Sequence, residues 1–391
     1  MERLVVGVPT ETFPGEARVA LVPSVVRRLS DAGIDVVVEH DAGERAGFPD
    51  ESYAAHGARI GARAEVFGAS IIAQVRACGT NPKNERDDVD RLRPGHVVLG
   101  ISDPLGSPEG VRQAADRRII SFALDLMPRI TRAQSMDVLS SQATVIGYKA
   151  VLLAANRLPK MFPMLTTAAG TVPPAQVLVI GAGVAGLTAI ATARRMGAVV
   201  QGYDVRPSAQ EDIESLGARC VLLPLQPGDA EDPAGYAKEF GAAFYQRQQE
   251  LIAQVVAGVD VVITTALIPG KRAPVLITEQ AVLGMPAGSV IVDCAAERGG
   301  NCELTDPDNE VVTENSVTIL GPTNLASTVP HEASVMYAKN VVAFLLHIVR
   351  QGELAIDLED EVIAGTLVTR EGEIVNPRVV GSLEVGSVPS A

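Results

Sequence analysis

The stretch from Gln176 to Asp204 constrains the fold of this chain more than any other. It reads Gln-Val-Leu-Val-Ile, then Gly181-Ala-Gly183-Val-Ala-Gly186, then an alanine-rich run to Met196, then Gly197-Ala-Val-Val-Gln-Gly-Tyr-Asp204. An apolar run, a glycine turn, an amphipathic run and a second apolar run ending on a carboxylate predict a βαβ unit of the dinucleotide-binding type. Gly181 makes the tight turn, Gly183 lets a pyrophosphate approach the backbone, and Gly186 lets helix and strand pack closely. The helix N-terminus then faces the phosphates with its N–H groups. Asp204 stands 23 residues after Gly181. A carboxylate there accepts hydrogen bonds from ribose hydroxyls and repels a 2′-phosphate, which favours NAD(H) over NADP(H). The neighbouring Arg206 weakens that exclusion, because an arginine can accommodate a 2′-phosphate.

At 391 residues the chain exceeds one compact core, and two domains are expected. Apolar residues make up 47% and charged residues 20%, the balance of a packed globular protein. A net charge of −14 argues against a nucleic-acid partner. It leaves nucleotide binding open, since a local cluster of N–H groups holds phosphate on an acidic protein. No apolar run approaches the roughly twenty residues of a membrane span, and the N-terminus enters a strand at once without a signal-peptide pattern. Cys78, Cys220, Cys294 and Cys302 form no Cys-x-x-Cys pair, so free thiols in the cytoplasm are expected. The five histidines stand beside no obvious partner, and no metal site is expected.

Taken in order, the chain alternates strand and helix. Leu4 to Val8 reads as a strand, Thr10 to Arg18 as a loop carrying Glu11, Glu16 and Arg18, and Pro23 to Ala32 as a helix. Further strands are expected near 34–38, 70–75, 96–101 and 119–122. This is a doubly wound α/β pattern with no glycine fingerprint of its own. A long helix is expected from Ser135, as N-cap, to Asn156, burying a stripe of Met136, Leu139, Ala143, Ile146, Ala150 and Leu153. Thr166 to Pro174 reads as a linker. Beyond the βαβ unit, strands are expected near 220–223, 259–264, 289–293 and 317–320. A second long helix from Pro330 to Arg350 could return the chain to the first domain, and Leu367 to Val375 reads as a hairpin around Glu371-Gly372.

Outside the fingerprint, Arg129, Gln134, Asp137 and Ser140 gather polar groups at the head of the long helix. They suit a site for the nicotinamide end, with amide and hydroxyl groups for the carboxamide. They equally suit a capping and salt-bridge network, and spacing alone does not choose. Tyr236, in the long loop after an acidic Pro/Gly-rich segment, reads either as part of a lid or as a tyrosine in a flexible loop.

Several long runs carry a more specific likeness. Met127 to Gln142, Thr167 to Pro174, Gly183 to Ala193, Thr264 to Gly270 and Gly299 to Cys302 resemble the NAD(H)-binding subunit of the proton-translocating nicotinamide nucleotide transhydrogenases, and the likeness covers nearly the whole chain. The resemblance implies two doubly wound Rossmann-like α/β domains linked by two long helices. The first would be discontinuous, residues 1–140 plus 325–391, with the NAD(H)-binding domain at 141–324. It implies a homodimer on the cytoplasmic face of the inner membrane, working with a membrane-spanning subunit and an NADP(H)-binding beta subunit. Hydride would pass directly between NAD(H) here and NADP(H) on the partner, coupled to proton translocation. The chain thus resembles the separate, soluble portion of the alpha subunit, active only with its partners.

Carried over by motif, Arg129, Gln134, Asp137 and Ser140 would hold the nicotinamide. Gly181, Gly183, Val184 and Gly186 would bind the pyrophosphate region. Asp204, Val205 and Arg206 would face the adenosine ribose, Gly235 and Tyr236 would belong to a closing loop, and Ala266 and Leu267 would line the pocket. Segments 74–82, 102–107 and 321–327 fit the family pattern less well.

Alanine dehydrogenase is the main rival, since it resembles the fold and shares the Arg18-Val-Ala-Leu context. Its lysine and histidine segments are matched here by Gln74-Val-Arg76 and Gly100-Ile-Ser102, and an arginine is no base at neutral pH. Hydride transfer between two nicotinamides needs no proton abstraction, so these differences suit transhydrogenation and leave positioning to carry catalysis. A non-catalytic NAD(H)-binding protein is the third reading.

Overall fold

The computed structural model describes residues 3–81, 86–225, 240–350 and 352–386. The chain divides into two compact units, Met1–Gln142 with Ser327–Ala391, and Ala143–Ala326. In chain order the first unit supplies β1 (Leu4–Val8), β2 (Ile34–Glu39), β3 (Arg59–Gly61), β4 (Ile71–Arg76), β5 (Val97–Ile101) and β6 (Ile120–Ala123). The second holds β7 (Leu165–Thr167), β8 (Gly170–Val172), β9 (Gln176–Ile180), β10 (Val199–Tyr203), β11 (Arg219–Cys220), β12 (Val261–Thr264), β13 (Val290–Asp293), β14 (Glu310–Val312) and β15 (Thr318–Leu320). The chain then returns to the first unit with β16 (Val349–Arg350), β17 (Glu353–Leu354), β18 (Leu367–Arg370) and β19 (Glu373–Ile374).

The first sheet runs β19-β18-β6-β5-β4-β1-β2-β3 and the second β11-β10-β9-β12-β13-β15-β14. The edge pairings β6–β18, β18–β19 and β14–β15 are antiparallel, and the rest are parallel. With the edge strands set aside, both sheets wind in the order 3-2-1-4-5-6, the doubly wound Rossmann order, so each has a switch point beside its first strand. Strands covered on both faces read as near-continuous apolar runs, and β4, β12 and β13 are buried at every position.

Several local expectations change. The long helix spans Val138–Arg157, not Ser135 onward; Thr131–Met136 is a 3-10 turn. Asp137 supplies the cap, its carboxylate accepting the N–H of Ser140 at 3.0 Å and the Ser140 hydroxyl at 2.5 Å. Of the expected stripe Ala150 is buried, whereas Leu139 is exposed; the buried side chains of this helix include Val138, Val145, Ala150, Val151 and Ala154. By length and composition this helix alone among the described residues could cross a bilayer, yet these side chains are buried within the protein. The expected linker at 166–174 is largely taken up by the antiparallel hairpin β7–β8, which begins one residue earlier. The second long helix, Pro330–Ile348, lies in the first unit, its Phe344 ring meeting Phe122 edge-on at 5.2 Å.

The switch point of the first sheet is filled by the protein's own charges. The loop after β1 turns back instead of opening a helix, and it buries Glu11, Glu16 and Arg18. Glu11 accepts the N–H groups of Val75 and Arg76 at the end of β4, at 2.5 and 3.2 Å. Glu16 takes the Arg18 guanidinium on both oxygens, at 2.7 and 2.6 Å, and Arg76 Nε at 3.3 Å. Burial and the Glu16 charge push the Glu11 carboxyl up to about 8. For Glu16 burial acts upward, but Arg18 with Arg76 behind it wins and holds the group at about 2.

These opposite shifts have opposite pH consequences. A group with a raised folded pKa adds stability below its unfolded value and loses it as pH rises through the folded value. The Glu11 contribution is therefore present below about 4.5 and fades towards about 8, whereas that of Glu16 fades as pH falls from about 4.5 to about 2. In thermal melts from pH 5 to 8, wild type should lose midpoint temperature relative to Glu11→Gln. Parallel curves for the two proteins would show that Glu11 does not hold its proton in the fold.

Candidate dinucleotide site

At the second switch point the chain leaves β9 through Gly181, whose φ of +96° is a left-handed conformation that side chains disfavour. The helix Val184–Arg195 begins two residues after Ala182, with Gly183 as its N-cap. A Cβ at Gly186 would lie 1.7 Å from the Gly181 carbonyl oxygen, so only hydrogen lets the helix close on the strand end. Gly183 differs: a Cβ there would meet no protein atom within 4 Å. Its freedom is not needed for packing, and it leaves the turn open on the side where the helix N–H groups emerge. Val184 is partly exposed beside it.

The parallel register pairs Tyr203 with Ile180, which carries Asp204 to the glycine turn. Its carboxylate accepts the Ala182 N–H at 2.7 Å, the Arg206 N–H at 2.9 Å and the Arg206 guanidinium at 2.9 and 3.0 Å. The acid thus fixes the turn and aligns Arg206 at once. Tyr203, Asp204, Val205, Arg206, Ile213, Cys220 and Leu222 line a cleft of about 160 Å³. Whole-ligand pockets run to roughly 300 Å³ and more, so this cleft suits one end of a dinucleotide. The Tyr203 hydroxyl accepts from Gln248 at 2.7 Å, with burial pushing the phenol up to about 12.

Ala266 and Leu267 follow β12 on the other side of β9, and Leu267 is exposed. The backbone of Ala266 is held by the side chain of Asn301. Residue-by-residue reading of the sequence assigns Thr265, Asp293 and Asn301 no role, although Thr265 and Asn301 lie inside two of the family-like runs. Spacing does not mark them, because the contacts that tie them to the strand ends and the glycine turn come from 29 to 85 residues away along the chain.

In the first unit, Arg129 and Gln134 are exposed, just before and within the 3-10 turn respectively, and Asp137 and Ser140 are joined at the helix start. The turn is fastened to later segments: Asn340 donates to the Ser135 carbonyl at 2.8 Å, and Arg132 to the Asp360 carboxylate at 2.9 Å. Gly235 and Tyr236 lie outside the described residues. Among the described residues no group of three or more His, Cys, Asp or Glu is placed to hold a metal.

Protein-family models match both regions of the chain: the alanine dehydrogenase/PNT N-terminal domain at residues 7–146, and the alanine dehydrogenase/PNT C-terminal domain at 150–377. The first part of NAD(P) transhydrogenase subunit alpha of Rhodospirillum rubrum is 45% identical over 381 residues, covering 96% of this chain and 99% of that one. A crystal structure of transhydrogenase from Sinorhizobium meliloti superposes with a TM-score of 0.84 at 43% identity, covering 95% of this chain and all of that one. Alanine dehydrogenase 2 of Staphylococcus aureus is more distant, at 28% identity over 390 residues, covering 97% of this chain and 96% of that one.

The two helix-start glycines should separate under substitution. Gly186→Ala should cost about 3 kcal/mol of stability through backbone overpacking, seen as a lowered denaturation midpoint. Gly183→Ala should melt like wild type yet lose about tenfold in dinucleotide affinity, the worth of a modest steric clash with the ligand. A Gly183→Ala protein that binds NADH normally would remove the turn from the site.

Proposed function

The chain belongs to the alanine dehydrogenase/PNT family, on its transhydrogenase alpha-subunit side, and from that premise we propose that it is the NAD(H)-binding part of a Re/Si-specific transhydrogenase. The observation that carries this reading is the second switch point. There an open glycine turn, a helix N-terminus and a carboxylate at the end of the next strand meet in one sheet. These groups fit NAD(H) by their chemistry: N–H donors for the pyrophosphate, and an acceptor for ribose hydroxyls that repels a 2′-phosphate.

In this reading Gly181, Gly183, Val184 and Gly186 hold the pyrophosphate region, Asp204, Val205 and Arg206 the adenosine ribose, and Ala266 and Leu267 the pocket wall. Arg129, Gln134, Asp137 and Ser140 orient the nicotinamide. NAD(H), when bound, supplies the nicotinamide that gives or takes hydride. The protein's own role is to position that ring and exclude water, since hydride exchange between nicotinamides calls for no acid or base. The opposite nicotinamide is NADP(H) on a beta subunit. A membrane-spanning subunit couples the transfer to proton translocation, with this chain peripheral on the cytoplasmic face. A homodimer belongs to the same proposal. Met161 and Met164, 52% and 62% exposed beside the hairpin β7–β8, offer apolar surface of the kind that self-association covers. An amino-acid dehydrogenase reading would use Arg18 to hold a substrate carboxylate; it is not favoured, because Arg18 is buried with its guanidinium forked onto Glu16.

Mixing the purified chain with an NADP(H)-binding partner subunit should give hydride transfer that neither protein shows alone. Turnover of pyruvate, ammonia and NADH by this chain alone would sink the proposal. Asp204→Ala should weaken NADH binding about tenfold and narrow its margin over NADPH, the worth of a charge-assisted hydrogen bond. Arg129→Ala should lower the transfer rate about a hundredfold, as a misplaced reacting group does, with much less effect on NADH affinity. Equal effects on rate and affinity would rule out the positioning role.

A further inference from the structure

The ends of β12 and β13 are built around a buried carboxylate outside the glycine motif. Asp293 is wholly buried. One of its oxygens accepts the Thr264 hydroxyl at 2.8 Å and the Ala295 N–H at 3.0 Å. The other accepts the N–H groups of Asn301 and Cys302 at 2.8 and 3.0 Å, and the Thr305 hydroxyl at 2.6 Å. A carboxylate so supplied with donors serves as a rigid anchor for the loop around it.

What it anchors is Asn301, also wholly buried. The Asn301 amide lies along the backbone of Ala266: Oδ1 accepts the Ala266 N–H at 3.0 Å, and Nδ2 donates to the Ala266 carbonyl at 2.9 Å and to the Pro274 carbonyl at 2.8 Å. One residue earlier, the Thr265 hydroxyl donates to the Gly181 carbonyl at 3.0 Å. A continuous set of hydrogen bonds and peptide links therefore runs from Asp293 to the glycine turn.

Sheet order gives this set a direction. β10, with Asp204 and its cleft, flanks β9 on one side; β12 and β13 lie on the other. A dinucleotide bound across a switch point has its two halves on opposite sides of it. The segment Ala266–Leu267 therefore stands on the half away from the adenosine. We propose that Asn301 is the positioning residue for the nicotinamide-side half of the dinucleotide. It holds the Ala266 backbone rigid, so that Leu267 offers a fixed apolar wall. The inference rests on the NAD(H) reading above and assigns one half of that site.

The test compares ligands that differ by that half. Titrations use the full chain, with NADH and with AMP, which carries only the adenosine end. Asn301→Asp keeps the acceptor for the Ala266 N–H but turns the donor into an acceptor facing two carbonyls. It should weaken NADH about tenfold and leave AMP within about twofold, in line with unpaired buried groups. Thr265→Val removes only the hydroxyl that meets Gly181, and keeps the test alive should the first variant fold poorly. It should weaken NADH about threefold, as loss of one hydrogen bond does, again with AMP unchanged. A merely structural role would move the melting point alone, or both ligands together. Unchanged NADH affinity in the folded variants, or equal losses for NADH and AMP, overturns the assignment. Failure of the wild-type chain to bind NADH would instead defeat the NAD(H) reading, and the assignment with it.

Discussion

A methyl group at position 186 would sit 1.7 Å from the carbonyl oxygen of Gly181, well inside contact distance. That one approach sets the rest of the second unit's site. It lets the helix Val184–Arg195 start four residues beyond the last residue of β9, so its N–H groups emerge close to the strand end. The parallel register of β9 and β10 then delivers Asp204 to the same place, and its hydrogen bond to the Ala182 N–H locks the turn from the second strand. A bulkier residue at 186 would push the helix away and carry the turn out of reach of Asp204.

The two units show how much depends on the residues just after the first strand. Both sheets wind in the same order, so both have a crevice beside that strand. In the second unit glycines lead into a helix, and the crevice presents N–H donors to the outside. In the first unit the chain after β1 brings Glu11, Glu16 and Arg18 inward, and Glu11 takes the N–H groups at the end of β4 itself. Donors that could face a ligand are used internally. Topology alone provides the crevice; the residues of one turn decide whether it stays available.

This difference explains which features are legible in the sequence. The βαβ unit is legible because its determinants are local: glycines at fixed offsets, an apolar run, and a carboxylate at the end of the next strand. The hairpin at Glu371-Gly372 is legible for the same reason, since both residues take positive φ, at 56° and 93°. The start of the long helix is ambiguous because Ser135 and Asp137 are both good caps. Packing makes the choice, with Asn340 holding the Ser135 carbonyl in a 3-10 turn. Within the helix Leu139 faces outward, while Val138 and Val145 are buried. The hairpin β7–β8 is hidden for another reason, since glycine and threonine in a short run signal a loop as readily as a two-stranded turn. Asp293 and Asn301 have no local signature at all. An aspartate closing a strand and an asparagine after two glycines look like loop residues until the sheet brings them against Thr264 and Ala266.

The acids of the second unit also show what kind of chemistry this scaffold favours. A general acid or base needs a proton position left open towards the reacting atom. Asp293 has both oxygens committed to N–H and hydroxyl donors, and Asp204 shares its two between the Ala182 N–H and Arg206. Each is held by the groups it orients, and each sets the position of backbone. Such an arrangement gives geometric definition at the cost of proton mobility. That is the right balance for a reaction whose barrier depends on how closely and squarely two rings are brought together. The same fold with an open carboxylate at position 293 would gain a proton carrier and lose the fixed wall that alignment requires.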